Sequence, residues 1–170
     1  SDAGGGIDNN GTGTVTNCTV YNNSAKYNSG GIRNSGTVTN CTVYNNSTSR
    51  DGGGIYNTYS GTVTNCTVYG NSATSYGGGI CNNDKGTVTN CIVYGNSASG
   101  IFGSGGGICN YISGTVTNCT VYGNSAKFDG GGIYNYSSSS TVTNCISWKN
   151  TLGDILGRGS VKYSCFGEAD

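Results

Sequence analysis

The phrase TVTNCTVYGNSA at residues 62–73 occurs, with small edits, six times between Thr14 and Trp148. A chain written as one repeated phrase buries its apolar face against copies of itself. Two markers keep pace through the repeat. Ile7, Ile32, Ile55, Ile80, Ile108 and Ile133 of the GGGI or SGGI element step by 25, 23, 25, 28 and 25 residues. Val15, Val38, Val63, Val88, Val116 and Val142 of the TVT element step by 23, 25, 25, 28 and 26.

Successive side chains of a strand point to opposite faces, so Val63 points one way and Thr62 and Thr64 the other. After a break at Asn65, Cys66 and Val68 fall on the valine side, and Thr67 and Tyr69 fall outside. A helix is excluded, because glycine triplets cost it about 1 kcal/mol per Gly relative to Ala. Three short strands, GGI, TVT and CTVY, fit every repeat, and a four-stranded propeller blade needs about 40 residues or more. The pattern predicts an all-β chain, a parallel β-helix (solenoid) of six to seven coils of 23–28 residues with three strands per coil. At a coil spacing of about 4.8 Å, six coils make a rod of roughly 29 Å.

Inside this rod the reading places the Ile ladder, the TVT valines, the cysteines Cys18, Cys41, Cys66, Cys91, Cys119 and Cys145, and the valines Val20, Val43, Val68, Val93 and Val121. Asn17, Asn40, Asn65, Asn90, Asn118 and Asn144 are expected as a buried corner ladder with stacked amides, where glycosylation of the Asn-x-Thr triplets would conflict with folding. Residues 1–150 read as β-helix repeats. Residues 151–170 read as an irregular, partly capping coil built on Ile155, Val161 and Tyr163, or as the start of a following region.

Only 34% of the 170 residues are hydrophobic and 32 are glycine, too little for an ordinary globular core but enough for a solenoid. Spaced Val, Ile, Cys and Tyr and a charged fraction of 9% argue against disorder. Eight basic and eight acidic residues are scattered, so no basic footprint for nucleic acid exists. The absence of an apolar run of the ~18 residues a spanning helix needs excludes membrane insertion by a helix. No signal peptide is visible and the chain opens at Ser1, so it reads as a mature secreted product or a piece of something longer.

Chemistry is thinly supplied. There is no His and no CxxC pair, so no metal site and no cofactor are expected. Asp51 and Asp129 occupy equivalent loops three coils apart, about 14 Å, beyond the roughly 5–9.5 Å that paired glycosidase carboxyls need. The ladder cysteines read as buried thiols, since in-register side chains point in parallel and would strain a bridge. Cys81 and Cys109 follow Ile80 and Ile108, so they point outward on adjacent coils and are the disulfide candidate. Cys165 has no evident partner.

Two outward files are candidate binding faces. Thr14 and Thr16, Thr37 and Thr39, Thr62 and Thr64, Thr87 and Thr89, Thr115 and Thr117, and Thr141 and Thr143 form a hydroxyl lattice of about 7 by 4.8 Å. Thr is also simply a good strand residue on a wet face. Tyr21, Tyr44, Tyr69, Tyr94, Tyr122 and Trp148 form an aromatic file, which reads as a stiffening stack, a sugar-binding strip or a contact for another chain. Insertions gather between NSA and GGG, longest at SASGIFGS, 97–104, with Tyr56 and Tyr134 and the loop residues Tyr27, Tyr76, Phe102 and Phe128 nearby, which marks that side for a specific ligand.

The phrases TVTNCTVYGNSA and GGGIYN resemble the repeats of bacterial right-handed parallel β-helix proteins of the cell surface. The ending NCISWKNTLGDILGRGSVKYSCFGEAD resembles the start of the choice-of-anchor region of large secreted bacterial proteins. The TxT lattice is similar to the faces of β-solenoid antifreeze proteins. These resemblances imply a right-handed, extracellular, non-enzymatic rod, structural or adhesive, whose partners are a surface glycan, ice or another copy stacked end to end. An ice-binding protein working through the threonines is the first alternative. A segment of a polysaccharide-processing β-helix, as in the pectate-lyase-like enzymes, is the second, with no catalytic residue placed in this chain.

Overall fold

The computed structural model describes residues 5–167. Its strands stack into four parallel sheets wound by one continuous chain. The first sheet holds Ile7–Asn9, Ile32–Asn34, Ile55–Asn57, Ile80–Asn82, Ile108–Asn110, Ile133–Asn135 and Ile155–Gly157. The TVT strands from Thr14–Thr16 to Thr141–Thr143, with Ser160–Lys162, form the second sheet. The third runs from Thr19–Tyr21 to Ile146–Trp148 and Cys165–Phe166. Like residues pair with like throughout: Ile80 with Ile108, Val63 with Val88, Tyr69 with Tyr94.

Beyond the three expected strands, each of the first five coils carries a fourth. The pairs Ser24–Ala25, Ser47–Thr48, Ser72–Ala73, Ser97–Ala98 and Ser125–Ala126 make a narrow five-stranded sheet. Two residues are too few for an alternation pattern to register.

The core is as the repeat predicts. Ile32, Ile55, Ile80, Ile108 and Ile133 and the two valine files from coil two onward are fully buried, and the ladder cysteines from Cys41 to Cys145 are nearly so. Coil six replaces the second valine by Ser147, which stays buried by donating to the Asp154 carbonyl at 2.9 Å. The glycine triplets are steric. A Cβ on Gly78 would stand 2.4 Å from the carbonyl of Ser97 in the fourth strand of the same coil, and Gly77 holds φ +66°.

The corner asparagines are not the stacked ladder. Asn17, Asn40, Asn65, Asn90, Asn118 and Asn144 adopt φ of 52–54°, as a sharp corner requires, but this turns their amides into solvent. The corner therefore places no steric bar on the Asn-x-Thr triplets. Two other files are the buried ladders. At the end of the first strand, Asn9, Asn34, Asn57, Asn82, Asn110 and Asn135 are linked amide to amide at 2.7–2.9 Å. At the entry to the fourth, Asn23, Asn46, Asn71, Asn96, Asn124 and Asn150 are linked at 2.9–3.0 Å. Each interior member of the second file also donates to the tyrosine carbonyl two residues back and to a valine carbonyl of the preceding coil, so no donor is left orphaned.

The last coil keeps register but loses its inward packing. Ile155 pairs with Ile133 and is buried, Val161 pairs with Val142 yet is exposed, and Tyr163 is 85% exposed. Cys165 lies opposite Ile146, not opposite the cysteine file.

Candidate functional site

The threonine lattice lies where the repeat places it. All twelve threonines flank a buried valine and are exposed in the first coil and half-buried above it. The strands of this sheet make their main contacts with their neighbours up and down the stack. Some hydroxyls bond within the file, Thr62 to Thr37 at 3.3 Å and Thr141 to Thr115 at 3.4 Å.

The aromatic file stacks on itself. Ring centroids from Tyr21 to Trp148 are 4.7–5.1 Å apart with planes 3–13° from parallel. A sugar stacks on a ring face, and here each interior face is covered by the next ring, leaving edges and hydroxyls to solvent.

A concave site forms instead on the outer face of the first sheet. The middle residues of its strands run Asp8, Arg33, Tyr56, Cys81, Cys109, Tyr134 and Leu156. The two small cysteines leave a notch between two tyrosines. Tyr76 reaches over it from the loop before the glycine triplet and Tyr111 from the turn after the strand, their centroids 6.0 Å apart and tilted by 37°. Tyr111 is backed by Tyr136 at 4.3 Å. Cys81 and Cys109 thus point outward, but beneath a tyrosine roof that leaves them 5% and 0% exposed as free thiols.

Beside this roof lies a cleft of about 230 Å³ lined by Arg50, Asp51, Tyr56, Tyr76, Cys81, Asn83 and Tyr111. Asp51 accepts the Tyr76 N–H at 3.1 Å, and burial pushes its carboxyl above the usual range. Asn83 donates to the Tyr56 hydroxyl at 3.1 Å while its own Oδ1 is buried without a partner. Burial also lifts the Tyr56 and Tyr111 phenols to about 12, so both stay neutral.

Three other carboxylates among the described residues are engaged in holding the chain. Asp84 accepts the Thr58 hydroxyl and the Tyr59 N–H, Asp154 accepts from Asn150 and Gly167, and Asp8 pairs with Arg33 at 3.1 Å. Asp51 and Asp129 occupy stack-equivalent positions three coils apart, linked through Tyr76 and Ser104. Among the described residues no group of three or more His, Cys, Asp or Glu could hold a metal ion, and no helix is long and apolar enough to cross a membrane.

The family model described as a right-handed beta helix region matches residues 1–147. The chain belongs to the right-handed β-helix family. No match was found among curated proteins or among solved structures. In this β-helix the sequence marked the insertion side, Tyr56 and Tyr76, but not Asn83, Arg50 or Tyr111. The signal available was the Ile-x-Asn position, where Cys replaces Tyr in two adjacent coils.

Proposed function

We propose that this β-helix is a non-enzymatic rod, structural or adhesive, of an extracellular bacterial surface protein. The observation that carries the reading is the pair of buried amide columns running the length of the stack. A chain of amides polarises along its length, and a satisfied buried network fixes one geometry. Such columns resist bending and leave the outer faces free to vary. The carboxylates tied into backbone contacts fit a scaffold better than a reaction centre. An ending similar to choice-of-anchor regions fits attachment to a cell envelope. The reading is tested by immunogold labelling of intact source cells and by incubation with pectin-like polymers. Surface label and no released uronic acid are expected. Label confined to the cytoplasm, or product release, contradicts it.

The in-register threonine files support a second reading, ice binding through the TxT lattice. Thermal hysteresis at micromolar protein, lost in Thr64→Tyr and Thr89→Tyr, is what that reading requires. No hysteresis, or hysteresis that survives both substitutions, ends it.

A further inference from the structure

We propose that the cleft beside the tyrosine roof binds one neutral pyranose unit of a glycan, which would make the rod a lectin-like element and not only a spacer. Three features of the cleft select this chemistry. Its walls are aromatic, and unlike the stacked file, the Tyr76 and Tyr111 rings are tilted and spaced so that they do not cover one another. Its polar groups are of both kinds. The Asp51 carboxylate accepts, and the Arg50 guanidinium donates from the exposed rim. Its volume, about 230 Å³, lies below the roughly 300–1,000 Å³ of pockets for drug-sized ligands, so it holds one ring and not an oligomer.

A pyranose offers an apolar face for the tyrosines and hydroxyls that each donate and accept. Other small ligands fit less well. An anion meets Asp51, a cation meets Arg50, and a plain aromatic ring engages neither of these polar groups. The cleft arises from sequence differences among coils, since tyrosine stands at the Cys81 position in coils three and six. One site per stack, and not one per repeat, is the consequence.

The test is saturation-transfer-difference NMR on the whole chain with the methyl glycosides of glucose, galactose, mannose and N-acetylglucosamine, each to 20 mM, beside choline and galacturonate. At least one neutral glycoside is expected to bind in the millimolar range, and Tyr111→Ala, Asn83→Ala and the exposed-rim variant Arg50→Ala are each expected to weaken it tenfold or more. Lys149→Asn, on another side of the rod, is expected to leave binding unchanged. Arg50→Ala keeps the test sound if either buried variant fails to fold. No neutral glycoside binding at 20 mM, binding of choline or galacturonate only, or binding unaffected by Arg50→Ala overturns the proposal. None of these outcomes bears on the surface-labelling test of the rod reading.

Discussion

Asn150 donates its side-chain amide to Asp154 Oδ1 at 2.6 Å, so the column of amides from Asn23 to Asn124 ends on a carboxylate. Every Nδ2 in that column points toward the C-terminal end, and its positive end therefore meets a negative charge. The arrangement repeats, with side chains, the favourable pairing of an anion with a helix N-terminus. Asp154→Ala removes one acceptor of the Asn150 side chain and the acceptors of the Asn150 N–H at 3.1 Å and the Gly167 N–H at 3.0 Å. Urea unfolding is expected to record a loss of about 2–3 kcal/mol.

The two classes of asparagine separate cleanly by mutation. Asn82→Ala breaks bonds at 2.8 Å to both neighbours and one at 2.9 Å to the Gly86 carbonyl, leaving buried groups orphaned. It is expected to cost about 3–5 kcal/mol. Asn90→Gly, at an exposed corner with φ 53°, is expected to change stability by less than about 0.5 kcal/mol.

Glycines divide in the same way. Gly78→Ala forces a Cβ against backbone 2.4 Å away and is expected to cost about 3 kcal/mol. Gly123, with φ +59° and open space around it, is equivalent to Asn22 and Asn45, which hold φ of 56° and 52°. Gly123→Asn is therefore expected to leave the midpoint of urea unfolding unchanged.

Thiol chemistry reports the core. All nine cysteines are free, and of these Cys165 is exposed and Cys18 half-buried. Titration with a thiol reagent is expected to find Cys165 at once, Cys18 slowly, and the rest only in denaturant. Early loss of two titratable thiols would instead indicate a Cys81–Cys109 bridge.

Stability should also fall in base. Burial lifts the Tyr56 and Tyr111 phenols to about 12, whereas the buried thiols oppose one another, Cys41 and Cys81 raised and Cys66 and Cys119 lowered by hydrogen bonds from neighbouring thiols. A raised folded value means that the native state keeps protons which the unfolded chain releases. The tyrosine stabilisation is fully present below the unfolded value of about 10 and is lost as pH rises from there toward the folded value. The melting temperature is expected to decline above about pH 10.

The register, the inward Ile, Val and Cys files and the outward Thr and Tyr files were legible because a period of two and a period of one coil act on the same residues. Asn9, Asn34 and Asn57 were not, because asparagine reads as a turn former and its burial depends on having an identical neighbour one coil away. The signal was present: Asn recurs at that place in all six repeats while the residue before it varies from Asp8 to Arg33 to Tyr56. The Cys81 cleft was hidden for a different reason. Its walls come from Tyr76 and Tyr111, which flank the strand on opposite sides and meet only after two coils are stacked.

The most direct test of the stacked rod is amide hydrogen exchange along the whole chain. The account predicts that strands Ile80–Asn82 and Thr87–Thr89 and their neighbours in coils three to five exchange slowly and together, through one cooperative opening, with Ser160–Lys162 faster. Central strands that exchange at unprotected rates, or independently of one another, would contradict it.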